Sequence, residues 1–138
     1  MKKHIVNGVH IVDFRSMCDA FGTAVSAPNG YFGRDLQTFD DCLFDYVAFV
    51  KPCEFVWLDS NIARVVLDYK MLADYCHQAM IEADKPNSIV LPEGRKWITE
   101  HLSLANSENK SMFDVVVEFI ESVSTRSSGR VEIALTLQ

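Results

Sequence analysis

Residues 53–59, "CEFVWLD", are a dense apolar run of strand length. Such a run is best placed in the middle of a sheet, flanked on both edges. What surrounds it decides how the sheet is built. Upstream, Leu36, Phe39, Leu43, Tyr46, Val47 and Val50 recur at helical spacing and predict a helix over 35–49 with one buried stripe. Asp35 is a good N-cap for it, and Lys51-Pro52 stops it. Further back, Met17, Ala20, Phe21 and Ala24 predict a helix from Ser16 to about Val25, ended by the loop Ala27-Pro28-Asn29-Gly30. "HIVNGVHIV", residues 4–12, holds two apolar runs around the turn pair Asn7-Gly8. It predicts a strand at 3–6, with a continuation through a tight turn into 9–12 as the longer alternative.

Downstream, Asp59-Ser60-Asn61 starts a predicted helix from Ile62 to about Ile81, with Val65, Val66, Tyr69, Leu72, Cys76 and Met80 inward. Residues 82–110 are less regular. "EADKPNS" reads as a loop, "IVL" as a short extended piece, and Pro92 opens a helix through Trp97, Ile98, His101 and Leu102. "ANSENK" is a second loop. Ser111 and Asp114 resemble a capping box for a helix over 112–124, "STRSSGR" turns the chain, and "VEIALTL" alternates as a terminal strand. Strands separated by helices cannot pair through tight turns. The expected fold is therefore α/β: a small parallel β-sheet of about three strands packed with crossover helices in a single-layer sandwich.

The totals agree with one domain over residues 1–138: the chain has 138 residues, 49% hydrophobic and 23% charged. A net charge of −6 opposes a nucleic-acid binder, which wants a basic patch, and would attract a basic partner. The four cysteines form no C-x-x-C pair, and Cys18 and Cys42 fall on apolar-periodic segments, so buried thiols are expected rather than disulfides or zinc ligands. "MKKHIVNGVHIV" is a poor signal peptide and no later segment approaches a membrane span. The expected compartment is the reducing cytoplasm, with neither membrane nor nucleic acid as partner.

Two helices carry more negative charge than they need. In the helix over 35–49, Gln37, Asp41 and Asp45 recur every four residues, and each step of four advances about 400°, so they share the face opposite Leu36, Phe39 and Leu43. Asp35 has a local use at the N-cap, where the helix dipole favours a carboxylate. Asp40, Asp41 and Asp45 have none. The helix over 112–124 repeats the pattern: Phe113, Val116, Phe119, Ile120 and Val123 on one side, Asp114, Glu118 and Glu121 on the other. Lys and Arg are absent from 35–50 and from 111–125. If both helices lie on one side of the sheet, their carboxylates converge. Solvated helix faces are also commonly charged for no further purpose.

"YFGRDLQTFDDCLFDYV", residues 31–47, resembles the signature of the barstar family, small intracellular inhibitors of secreted ribonucleases. The likeness continues in "KKHIVNG" for the opening strand and its Asn-Gly turn and in "FVWLDS" for the middle strand. "VVVEFIES" and "VEIALTL" match the last helix and strand, so that 1–77 and 111–138 are covered in order. Residues 78–110 are then an insertion before the last helix. The resemblance implies an inhibitor that offers a carboxylate to a cationic ribonuclease active site in place of RNA phosphate. It implies roles for Asp41 as the phosphate mimic, Tyr31 as an aromatic contact, Tyr46 in place of a contacting tryptophan, and Glu121 as an acidic contact on the last helix, with Glu118 beside it. Gly33 would permit the sharp turn into the acidic helix. Gln37 stands where the family's best-studied member has a second aspartate, and Asp40 where it has a tryptophan. A glutamine hydrogen-bonds without neutralising a cation, and Asp40 restores the charge from a neighbouring position.

Two other classes stay open on the residues alone. A non-inhibitory acidic module for another basic protein would use the same surface. An enzyme holding a divalent metal on Asp41, Asp45 and Glu121 would need a basic surface for its substrate, and the Cys76-His77 pair points in two directions on a helix. No phosphate-binding, hydrolase or metalloprotease motif occurs, so no cofactor, metal or catalytic residue is expected.

Overall fold

A computed structural model describes residues 1–49 and 52–138, with 47–49 described by backbone alone. Among the described residues the order is β1 (Lys2–Asn7), α1 (Phe14–Ala24), α2 (Leu36–Phe49), β2 (Cys53–Leu58), α3 (Ser60–Val66), α4 (Tyr69–Ala83), α5 (Pro92–Asn106), α6 (Met112–Glu121), α7 (Val123–Arg126) and β3 (Ile133–Leu137). The chain is mixed α/β, with one all-parallel sheet in the order β1-β2-β3. "CEFVWL" is its central strand, as expected. Two compact units are formed: Met1–Val66 with Val116–Gln138, and Leu67–Val115.

In the first unit the registers His4↔Phe55↔Leu135 and Val6↔Trp57↔Leu137 put these side chains on one face of the sheet. Parallel connections are right-handed in nearly every case, so a sheet in sequential order carries its crossover helices on one side. The core on that side is aromatic. Phe21 of α1 lies 5.2 Å from Phe39, 5.4 Å from Phe55 and 5.2 Å from Trp57, ring centre to ring centre. All four are fully buried. On the opposite face of the sheet Val56 is buried. Ile5 is half exposed there, and Glu54 accepts from the Thr136 hydroxyl at 2.7 Å and pairs with Lys3 at 3.9 Å.

In the second unit α4 and α5 pack on each other, and Leu72 and Cys76 of α4 and Ile98 and Ala105 of α5 are buried. Arg95 of α5 reaches back to Asp84 at 2.6 Å and to the Ala83 carbonyl at 2.7 Å. This unit takes in residues 78–110.

Several sequence expectations need correction. The longer strand through 9–12 does not form: the Asn7 side chain accepts from Val9 N at 3.1 Å, and Ser16 Oγ accepts from Val12 N and Asp13 N, closing a capping box on α1. The helix predicted over 62–81 is two helices. Asp68 caps α4 by accepting from Met71 N, and the Leu67 carbonyl accepts from Phe113 N, so it is lost to a continuous helix. The break resets the helical phase, and Val65 and Tyr69, expected inward, are exposed. Helix α6 ends at Glu121 rather than running to 124. Cys42, expected buried, is half-buried; all four thiols are free. The inward positions expected for Val47 and Val50, and the stop at Lys51, lie outside the described residues. No helix among the described residues is long and apolar enough to cross a membrane.

Candidate functional site

The acidic helix α2 is held in place from its first residues. Loop 27–30 packs so tightly on α1 that a Cβ on Gly22 would stand 2.0 Å from the Gly30 carbonyl oxygen. From there the chain alternates: Tyr31 is half exposed, while Phe32 is buried against Phe21 and Phe39. Gly33 then turns the chain at φ +92°, and a Cβ there would lie 2.4 Å from Phe39 N. Only glycine fits such a turn. Asp35 caps the helix as expected: its carboxylate accepts from Thr38 N at 2.8 Å, and Thr38 Oγ1 accepts from Asp35 N at 3.1 Å. Leu36, Phe39 and Leu43 are buried beneath.

This anchoring points Gln37, Asp41 and Asp45 to solvent, four residues apart on one face. No cation among the described residues pairs with Asp41 or Asp45. Their field is felt by Cys42, whose thiol is pushed up first by burial and then by Asp45 and Asp41. A thiol held protonated in this way is a poor nucleophile or metal ligand.

Two other predicted site residues are already engaged. Asp40 accepts both arms of Arg126, at 2.7 and 2.8 Å, and is largely buried by the pairing. The guanidinium lies 4.6 Å over the Phe44 ring and 5.5 Å from that of Phe119. It also donates to the Phe119 carbonyl at 2.8 Å and to Ser122 Oγ at 2.8 Å. Arg126 thus brings α2 against the corner where α6 meets α7. The charge expected of Asp40 is answered within the molecule. Tyr46 is half-buried and its hydroxyl turns inward to His4 Nε2 at 2.5 Å. His4 Nδ1 faces the Ala24 carbonyl at 3.2 Å, and a carbonyl only accepts, so Nδ1 carries the proton and Nε2 accepts from Tyr46. Part of the Tyr46 ring remains for a partner; its polar end does not.

On α6, Glu118 and Glu121 are exposed as predicted. Asp114 is not part of that face in the same sense. It closes the capping box, accepting from Ser111 N at 2.9 Å while Ser111 Oγ accepts from Asp114 N at 3.1 Å.

Sequence reasoning missed Arg126 and His4. Arg126 is the first cation after the second acidic helix, but it stands 86 residues from Asp40, and no local spacing links them. His4 sits on a strand whose pattern calls for apolar residues inward. Comparison with known proteins finds no matching protein-family model, no matching curated protein and no matching solved structure.

Proposed function

We propose that the protein is a barstar-like cytoplasmic inhibitor, the immunity partner of a toxic ribonuclease, which it binds one to one by laying the acidic face of α2 in the cationic active site. The observation that carries this reading is the exposure of Asp41 and Asp45, without a cation among the described residues, on a helix whose cap, turn and core face are all fixed. A carboxylate on a fixed helix loses little freedom on binding, which favours tight capture of a cation. The ordered resemblance of residues 1–77 and 111–138 to the barstar family and the net charge of −6 support it further. Tyr31, half exposed beside the turn at Gly33, supplies an aromatic contact, and Glu118 and Glu121 add carboxylates from α6. Charge-assisted hydrogen bonds between a carboxylate and a guanidinium or ammonium are short, strong and dependent on geometry, as phosphate mimicry demands.

The test is a low-salt pull-down of basic proteins with the wild type, Asp41→Ala and Asp19→Ala, followed by RNA cleavage by whatever is retained. Asp19 is exposed on α1 and serves as the control. A charge-assisted hydrogen bond contributes about 1.5–3 kcal/mol, so Asp41→Ala should weaken capture roughly tenfold or more. A retained nuclease silenced on binding is the expected result. Equal losses for Asp41→Ala and Asp19→Ala would sink the phosphate-mimic mechanism, and a retained partner without nuclease activity would leave only an acidic binding module.

A further inference from the structure

The geometry points to Arg126 as a specificity-determining residue of this face: it withdraws Asp40 from any cationic partner and leaves Asp41 and Asp45 as the carboxylates that meet it. The inference rests on the reading of α2 as a cation-binding face. Both oxygens of Asp40 are taken by one guanidinium, at 2.7 and 2.8 Å, and the carboxylate is 20% exposed. The guanidinium is itself fixed by Phe44, Phe119, the Phe119 carbonyl and Ser122. A two-pronged, stacked arginine of this kind cannot be replaced by lysine, whose ammonium is a point charge. A partner that wanted Asp40 would have to displace a cation already bound on the better geometry. Adjacent residues on one helix turn thus have opposite availability, and the surface a partner meets is narrower than the run Asp40-Asp41 suggests.

The probe is a hexalysine peptide at low salt, with affinity read by titration calorimetry. In the wild-type background Asp40→Asn should change affinity less than about twofold and Asp41→Asn should weaken it about threefold to fivefold, the size of one exposed charge contact. In the Arg126→Gln background the freed Asp40 joins the face, so Asp40→Asn should now weaken binding about threefold. This dependence on background separates withdrawal of a carboxylate from simple loss of a positive charge, which would shift all affinities together. Equal effects of Asp40→Asn in both backgrounds would overturn the inference. Urea unfolding of the wild type, the two single variants and the double variant adds a measurement that needs no ligand. A coupling between Arg126→Gln and Asp40→Asn of at least about twofold in the unfolding constant is expected, and no coupling overturns it. Should Arg126→Gln fail to fold, Arg126→Lys keeps the charge and loses the fork, and it should also make Asp40→Asn felt. The peptide is no nuclease, so these outcomes are separate from the fate of the inhibitor reading, which the pull-down decides.

Discussion

Helices α2 and α6 look alike as sequence: each sets an apolar stripe against a row of carboxylates, and neither contains a lysine or arginine. Their carboxylates have different work. On α2, Asp35 caps the helix, Asp40 is bound by Arg126, and Asp41 and Asp45 are left to solvent. On α6, Asp114 caps the helix while Glu118 and Glu121 face outward. A count of acidic residues therefore overstates the surface that a partner can use. The two helices also start differently. Helix α6 begins on a serine and an aspartate in a capping box, whereas α2 needs, in addition, a glycine in the left-handed region pressed against its own first turns. The placement of the α2 face thus hangs on backbone geometry, and that of α6 on side-chain hydrogen bonds.

The sharpest way to break this comparison is at the two starts. Gly33→Ala forces a Cβ to within 2.4 Å of Phe39 N at φ +92°. The new group meets backbone, which cannot swing aside, so the substitution should cost roughly 3 kcal/mol or more. Ser111→Ala removes one cap bond and should cost about 1 kcal/mol. Urea denaturation of both variants measures the difference. Similar losses would show that the turn at Gly33 relaxes easily and that α2 is no more tightly placed than α6.

A smaller effect is expected from pH, and it should act on α2. His4, buried under that helix, is pushed below its ordinary 6.5 by burial first, against the raising effect of its bond to the Ala24 carbonyl and with a further lowering by Lys2. The unfolded chain then binds the proton more readily than the folded one. Stability is full above about pH 6.5 and falls as the pH drops below it. The protonated ring could no longer accept from the Tyr46 hydroxyl. Unfolding free energies between about pH 7 and about pH 5 should slope for the wild type and flatten in His4→Gln. An unchanged slope would move the pH dependence to other groups.

How much of this is legible in the sequence follows from where the information lies. The central strand, the Asp35 and Ser111 caps and the outward Asp41 and Asp45 rest on patterns within a few residues, and such patterns read directly; the parallel sheet follows from the helices between its strands. The turn at Gly33 is legible too, because only glycine accepts its conformation. What escapes the sequence comes from distance. The split of the 62–81 helix goes with the Leu67 carbonyl accepting from Phe113 N, 46 residues on. The fate of Asp40 depends on a residue 86 positions away, and that of the Tyr46 hydroxyl on a histidine 42 positions away. Helical periodicity says which way a side chain points, but not whether something from elsewhere in the chain is waiting there.

The smallest expected effect is also the one that most sharpens the comparison. Asp41→Asn and Asp45→Asn should leave stability within about 0.5 kcal/mol of the wild type, and the pair together should raise it slightly. The reason is that neither carboxylate caps the helix or pairs with a cation among the described residues, while each sits close to the other on a chain that carries six excess negative charges. Removing like charge relieves repulsion. By contrast Asp35→Asn and Asp114→Asn each disturb a cap, although asparagine retains most capping ability, so their losses should be modest but of opposite sign. Thermal melts at low and high salt resolve the two classes. A gain that disappears on adding salt marks the carboxylates that the fold tolerates rather than uses, and these are the ones left over for a partner. If Asp41→Asn or Asp45→Asn instead destabilised the protein at both salt levels, the charge on α2 would have a structural use, and the case for a binding face would weaken with it.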